Sequence, residues 1–200
     1  MLRPTILAAC TAIALPAAAQ VTLDELDQAV REKDALMEEF RKRLNDPDPD
    51  RVLAALRLLL SKGDADQRRL AIRHGLLSTD RGIRATTLRG FFDSNPTFRA
   101  VFNPVSEELS QYYDDYVEDA GGVIDNEGTS FVTFKVTGYD TENACWTVAD
   151  EDCLVRMRGD TVSLWFGGSW GHYQLNDSGK LEGEQRVAQN YTQASIDLSQ

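Results

Sequence analysis

The chain has 200 residues, of which 42% are hydrophobic and 26% are charged, so it can bury the core of one medium domain or of two small ones. This composition excludes a collagen, a fibrous coiled coil and a wholly disordered chain. With 21 Lys and Arg against 32 Asp and Glu, the formal net charge is -11, and such a surface repels nucleic acid and anionic lipid on average.

Residues 1–19 are predicted to be an export signal. Arg3 supplies the positive charge, residues 5–15 are apolar, and a run of small residues ending at Ala19 provides the cleavage site. The apolar stretch is shorter than the ~20 residues that cross a bilayer. We therefore expect a periplasmic or secreted protein without a transmembrane span. The four residues ending at Cys10 resemble the lipobox of bacterial lipoproteins, and lipid anchoring at Cys10 is the alternative to simple cleavage.

The first predicted helix covers residues 22–44. Thr22 followed by Glu25 is typical of a capping box, and apolar residues then recur at steps of three and four. These apolar residues are Leu23, Leu26, Val30, Met37, Phe40 and Leu44. We expect the helix to pack on its own domain. A homodimer through the same apolar seam is the alternative, because about three heptads are the minimum for a coiled coil.

Three further helices are predicted between residues 48 and 93. Asp48 before a proline indicates the start of one helix, Asp64 three residues before a glutamine indicates the next, and Ser78 or Thr79 opens the last. The links between them are short. Short links favour helical hairpins over a parallel α/β sheet.

The same stretch contains a short internal sequence repeat. Arg69-x-x-x-Arg73-x-Gly75 is followed fifteen positions later by Arg84-x-x-x-Leu88-x-Gly90, and an Ile83-Arg84 pair lies near the start of the last helix. With the turn residues before each helix, residues 48–93 resemble HEAT-type helical repeats. This resemblance implies a protein-binding scaffold without catalytic residues. It covers fewer than the three repeats that a solenoid needs for independent stability.

Residues 96–121 are predicted to be a connector with one helix that begins near Ser106. From residue 122 onward, short strands alternate with hairpin turns. The predicted strands cover residues 131–136, 145–148, 153–157, 161–166, 172–175, 181–187 and 194–198. The chain is therefore predicted to be α+β, with N-terminal helical hairpins over residues 20–95, in a short HEAT-like array, and a small antiparallel β-barrel or sandwich over residues 122–200.

Cys145 and Cys153 are the two cysteines that remain after the export signal is removed. In an oxidising compartment we expect them to form a disulfide across the hairpin at residues 149–152, with two free thiols as the alternative. The two histidines lie far apart and there is no C-x-x-C, so neither a zinc site nor any other metal or cofactor is expected.

Charge is divided unevenly along the chain. Residues 20–99 hold 15 Lys and Arg with 14 Asp and Glu, whereas residues 100–200 hold 5 and 18. Four arginines of the helical part can share helix faces in pairs, namely Arg69 with Arg73 and Arg81 with Arg84. A solvated face with local ion pairs is the default interpretation. The alternative is an interaction patch for the acidic half of the chain or for an acidic partner.

The segment from Trp165 to Tyr173 places two glycines between aromatic residues. Aromatic residues in strands mostly pack in the core, so the simpler interpretation is a glycine turn beside core residues. The alternative is a bend that presents aromatic faces to a sugar or a peptide. Its candidate binding residues are Trp165, Trp170, His172 and Tyr173.

Motifs of common enzymes are missing from the sequence, which contains no G-x-S-x-G, no P-loop, no dinucleotide fingerprint and no H-E-x-x-H. The sequence therefore favours an exported, non-catalytic protein-interaction protein of the periplasm or envelope. Its partner would be a protein or a glycan of the cell envelope and not a nucleic acid. The alternatives are a glycan-binding module that uses the segment from Trp165 to Tyr173, and a small hydrolase that acts through paired carboxylates.

Overall fold

The computed structural model describes residues 21–106, 108–149 and 152–198. The predicted export signal, with Cys10 inside it, lies outside the described residues. The helices are α1 (Leu23–Leu44), α2 (Pro49–Lys62), α3 (Ala65–Leu76), α4 (Arg81–Asp93) and α5 (Gln111–Asp119). The strands are β1 (Thr97–Pro104), β2 (Val123–Ile124), β3 (Ser130–Lys135), β4 (Gly138–Asp140), β5 (Cys145–Thr147), β6 (Cys153–Arg158), β7 (Thr161–Phe166), β8 (Ser169–Leu175), β9 (Leu181–Val187) and β10 (Asn190–Ile196).

The described residues divide into two compact units, with the division between Leu36 and Met37. In the first unit, the predicted capping box at the start of α1 is confirmed. The Thr22 amide donates to Glu25 Oε2 at 2.9 Å, and the Glu25 amide donates to Thr22 Oγ1 at 3.2 Å. Leu23, Leu26 and Val30 are exposed along this part of the helix.

In the second unit, helices α2–α4 begin at aspartate caps. Asp48 and Asp64 accept hydrogen bonds from the first-turn amides of α2 and α3, as predicted. Helix α4 begins after Asp80, so the prediction that Ser78 or Thr79 opens it is wrong. The Asp80 carboxylate accepts from the Gly82 and Ile83 amides of α4, whereas the Ser78 hydroxyl accepts from the Asp80 amide, before the helix begins.

Gly75, a glycine of the internal sequence repeat, allows α3 and α4 to pack closely. A Cβ atom at Gly75 would overlap the side chain of Thr87 on the facing helix α4. Thr87 cannot give way easily, because it is fully buried and its hydroxyl donates to the Ile83 carbonyl at 2.8 Å. The glycine is therefore needed for the contact between α3 and α4.

The strands form one ten-stranded antiparallel sheet in the order β2-β3-β1-β10-β9-β8-β7-β6-β5-β4. Strands β4 to β10 are neighbours in sequence order, as expected for a meander. The sheet curls into a half-barrel whose two edges are β2 and β4. The predicted α+β class, with helices in the N-terminal part and antiparallel strands after them, is confirmed.

The predicted connector at residues 96–121 contains a central strand as well as a helix. Strand β1 pairs with both β10 and β3, and it buries Phe98, Ala100 and Phe102 in alternation. Helix α5 begins after Ser110 and not near Ser106. A tertiary contact holds this start, because the Ser110 amide and hydroxyl both donate to Asn190 Oδ1 on β10.

Helix α4 and the sheet of the second unit share a core. Phe92 of α4 lies 5.3 Å from Trp146 of β5 and 5.8 Å from Phe98 of β1, measured between ring centroids. Leu88 and Phe91 of α4 join the same buried cluster as the inner face of the sheet. Helix α4 is therefore packed on the sheet, whereas Leu56, Leu59 and Leu60 of α2 belong to a second buried cluster.

The predicted disulfide between Cys145 and Cys153 is confirmed, with a Cα–Cα distance of 5.6 Å across the β5–β6 hairpin. Such a bond fits an oxidising compartment. None of the helices formed by the described residues is long and apolar enough to span a membrane.

Candidate functional site

The candidate site is built around the turn Gly167-Gly168, which joins β7 to β8. Both glycines have positive φ angles, 62° and 84°, as a two-residue hairpin turn requires. Gly167 also lies so close to β9 that a Cβ atom would be 2.5 Å from Val187 Cα. Because no L side chain fits there, the glycine pair sets the position of the residues on either side of the turn.

A buried amide holds this turn in place. Gln185 Nε2 donates to the Phe166 carbonyl at 2.9 Å and to the Ser169 carbonyl at 3.0 Å. The Tyr173 hydroxyl donates to Gln185 Oε1 at 3.1 Å, and burial raises the pKa of Tyr173. Tyr173 is fully buried, so the prediction that it presents its ring to a ligand is wrong. Strand alternation puts its ring on the inner face, where it supports the turn instead.

Trp165 and Trp170 lie side by side on the outer face of the sheet. They are directly paired across β7 and β8, and their ring centroids are 5.4 Å apart. Trp165 is 42% exposed and Trp170 is partly buried. The Arg156 guanidinium carbon lies 4.6 Å from the ring centroid of Trp170, a cation–π contact that holds this ring in place.

A groove of about 590 Å³ extends from Trp170 over β9 and β10. Its walls include His172, Glu184, Arg186 and Tyr191. Arg186 and Tyr191 are directly paired across β9 and β10, and Tyr191 is 66% exposed. The groove therefore has an aromatic ring at each end and a guanidinium between them.

His172, the remaining predicted site residue of this segment, forms part of the groove wall. Its Nδ1 lies 2.8 Å from Ser163 Oγ, and it pairs across the strands with Glu184. An imidazole and a carboxylate thus stand next to each other beside the tryptophans. Both groups can exchange hydrogen bonds with a polar ligand.

A smaller depression of about 350 Å³ lies on the other side of Arg186, beside the glycine turn. Tyr112 and Tyr116 of α5 line it, and they are 60% and 45% exposed. The exposed aromatic surface therefore continues from the sheet face around the turn to α5.

Sequence reasoning missed Arg156, Arg186 and Tyr191. A usable signal existed for Arg186, because the strand predicted at residues 181–187 places every second side chain on the outer face. Tyr191 was missed because the last strand was predicted to begin at residue 194, whereas β10 begins at Asn190.

The four arginines of the predicted interaction patch do not form one surface. Arg69 is 3.7 Å from an aspartate of its own helix, and Arg73 is exposed. Arg84 Nη2 lies 2.6 Å and Arg81 Nε 3.6 Å from Asp160 Oδ2, in the turn between β6 and β7. This pair of contacts joins α4 to the acidic half of the same chain.

The charge of Asp160 is stabilised by these arginines. Burial by itself would raise the pKa of Asp160, but the hydrogen bond from Arg84 and the positive charges of Arg81 and Arg84 outweigh burial, so the pKa is lowered. The carboxylate therefore stays ionised at neutral pH and holds the arginines within the chain.

Within residues 21–106, 108–149 and 152–198, no group of three or more His, Cys, Asp or Glu side chains could hold a metal ion. No family model matches the chain, and neither the curated proteins nor the solved structures contain a match for it. The resemblance of residues 48–93 to HEAT-type repeats is therefore one of local sequence pattern.

Proposed function

We propose that the protein is an exported, non-catalytic binding protein of the cell envelope, and that the outer face of β7–β10 holds an extended glycan. The observation that supports this proposal is the set of aromatic rings on one sheet face. Trp170 and Tyr191 line a single groove, and Trp165 lies next to Trp170 on the same face. Trp165 and Tyr191 are well exposed. Large exposed aromatic surfaces on a folded domain usually mark a binding site.

The chemistry of the groove suits a sugar polymer. A sugar ring has an apolar C–H face that stacks on an aromatic ring, and its hydroxyls both donate and accept hydrogen bonds. The aromatic rings provide the stacking surface, while His172 and Glu184 provide donors and acceptors along the wall. Arg156 adds pre-organisation, because it already holds the Trp170 ring in one orientation.

The dimensions favour an oligosaccharide over a single sugar. Neighbouring strands lie ~4.8 Å apart, so the distance from β7 to β10 is ~14 Å. Several consecutive sugar rings can lie across these strands. A binding face of this length suits the polymeric glycans of a cell envelope.

The proposed location is the periplasm or the extracellular space. Residues 1–19 have the layout of an export signal that is cleaved near Ala19, and the disulfide between Cys145 and Cys153 suits that compartment. Lipid anchoring at Cys10 is the alternative mode of export. Either route brings the binding face to the same glycans.

We also propose that α1 pairs with α1 of a second copy. Leu23, Leu26 and Val30 follow a three-and-four spacing on α1, and they are 78%, 52% and 50% exposed. A seam of this kind on a helix is typically covered by a partner helix. A dimer would present two glycan-binding faces to one polymer and raise the apparent affinity.

Co-sedimentation with isolated peptidoglycan tests the glycan proposal. We expect the wild-type protein to sediment with it, and we expect Trp170→Ala and Tyr191→Ala each to weaken the apparent affinity by about tenfold or more. Tyr139→Ala is the matched control, because Tyr139 is a partly exposed aromatic residue outside this groove.

Thermal unfolding of each variant separates lost binding from lost folding. Equal retention of Trp170→Ala, Tyr191→Ala and the Tyr139→Ala control would refute the proposed binding face. Retention of the wild-type protein that does not differ from a bovine serum albumin control would refute peptidoglycan as its ligand.

A further inference from the structure

A second cavity, of about 610 Å³, lies between α2 and the C-terminal half of α4, away from the sheet groove. Three arginines line it, which are Arg57 of α2, Arg68 of α3 and Arg89 of α4. The predicted interaction patch consisted of Arg69, Arg73, Arg81 and Arg84, and none of these lines the cavity. The arginines that meet in this cavity are therefore a different set.

Arg68 is anchored in the wall of the cavity. It is partly buried, and its Nη2 donates to the Gly63 carbonyl at 2.9 Å. Its Nε is buried and has no hydrogen-bond partner among the described residues. Because this contact is to a neutral carbonyl, the positive charge of Arg68 is not balanced by it.

Arg89 is held by aromatic rings. Its guanidinium carbon lies 5.1 Å from the ring centroid of Tyr139 and 5.5 Å from that of Trp146. Asp93 is the one carboxylate among the described residues that line the cavity. It accepts a hydrogen bond from Trp146 Nε1 at 2.9 Å, and its other oxygen is 3.7 Å from Arg89 Nε. Three arginines thus face one carboxylate that already has partners.

The floor of the cavity is apolar. Gly90 of α4 lies against Leu60 of α2, and a Cβ atom at Gly90 would be 2.7 Å from Leu60 Cδ1. The missing side chain lets the two helices approach, which puts Arg57 and Arg89 on the two sides of one cleft. The volume falls within the range of ~300–1,000 Å³ that is usual for ligand pockets, and it exceeds the space that one small anion fills.

We propose that this cleft binds an acidic peptide segment of a partner protein. Guanidinium groups pair with carboxylates through two parallel hydrogen bonds, so Arg57, Arg68 and Arg89 can hold more than one Asp or Glu side chain. An apolar side chain between the acidic residues would rest on Leu60. This site differs from the sheet face in position and in ligand chemistry, and it does not depend on the glycan proposal.

Fluorescence anisotropy of the purified chain tests the proposal. The probe is a fluorescein-labelled hexapeptide with alternating Glu and Leu, and the comparison peptide has Lys in place of Glu. We expect the Glu peptide to bind, Arg57→Gln to weaken its binding by about tenfold, and added salt to weaken it further. Arg73→Gln is the matched control, because Arg73 is an exposed arginine of α3 outside the cavity.

Several results would overturn the proposal. Binding of the Lys peptide as tight as that of the Glu peptide would show that charge does not select the ligand. Equal affinities of Arg57→Gln and Arg73→Gln for the Glu peptide would exclude the cleft. If inorganic phosphate binds and the Glu peptide does not, the cleft takes a small anion and no peptide. Arg57 is exposed, so its replacement should leave the fold intact, and the urea midpoint of each variant checks this.

Discussion

Replacement of Asp160 by Asn should weaken the junction between α4 and the β6–β7 turn. Asp160 Oδ2 accepts from Arg84 Nη2 at 2.6 Å, and the two side chains are only 16% and 23% exposed. Asn keeps the shape of the side chain and removes its charge. Arg84 would then be a partly buried cation without a counter-ion at this junction, and its Nε already has no hydrogen-bond partner within the described residues.

The expected loss in the free energy of unfolding is about 2 kcal/mol. A hydrogen bond to a charged group contributes ~1.5–3 kcal/mol, and remaining solvent contact keeps this pair near the lower part of that range. For a unit of this size, the same loss lowers Tm by about 4–8 °C. Arg81→Gln is the control, because Arg81 is 81% exposed and lies 3.6 Å from the same carboxylate, and we expect it to change stability by about 0.5 kcal/mol or less.

Urea denaturation of the wild type, Asp160→Asn, Arg84→Gln and the double variant measures this contribution. The pKa of Asp160 is lowered in the folded protein by Arg84 and Arg81, in spite of burial. Its stabilising effect is therefore complete above the pKa of the unfolded carboxyl, ~3.9, and is lost as the pH falls through the lower folded pKa. The difference between wild type and Asp160→Asn should shrink below about pH 4. A difference under about 0.5 kcal/mol at pH 7, or additive effects in the double variant, would refute the reasoning.

Two further predictions concern the disulfide and the first helix. Replacement of both Cys145 and Cys153 by Ala should lower the free energy of unfolding by about 2.5 kcal/mol, because the bond closes a loop with a sequence separation of 8. Urea denaturation measures the loss, and a value below about 1 kcal/mol would contradict this prediction. If α1 pairs with α1 of a second copy, light scattering after size exclusion should give the mass of a dimer for the wild type and of a monomer for Leu26→Glu. Gln28→Glu, on the polar side of α1, is the control and should remain a dimer. A monomeric wild type would refute the pairing.

Local chemistry in the sequence was enough to predict several elements of this fold. The capping residues Thr22, Asp48 and Asp64 act within three positions along the chain, so their hydrogen bonds follow from neighbouring residues alone. The bounds predicted for β7 and β9 agree with the structure for the same reason, since strand alternation is also a local pattern. The disulfide followed from two cysteines on either side of one hairpin turn.

The alternation of side chains along a strand shows that the strand has two faces, but for aromatic residues it does not show which face is buried. Trp165 and Tyr173 lie on adjacent strands of the same hairpin, and both were predicted to bind. The register of β7 with β8 pairs Tyr173 with buried Val162 and Trp165 with Trp170, so one aromatic residue is in the core and the other is on the surface. The central place of β1 was missed for a related reason, because its pairing partners β3 and β10 come much later in the chain.

The sequence by itself determined the starts of α1, α2 and α3, most of the strands, the α+β class and the covalent bond between the cysteines. Only the tertiary structure decided which residues meet at each site. Arg84 and Asp160 are separated by 76 positions, and Tyr191 comes from a different hairpin than Trp170, with which it shares a groove. The physical reason is that caps, turns and alternation are local interactions, whereas a site depends on the register and packing of segments that are far apart in the chain.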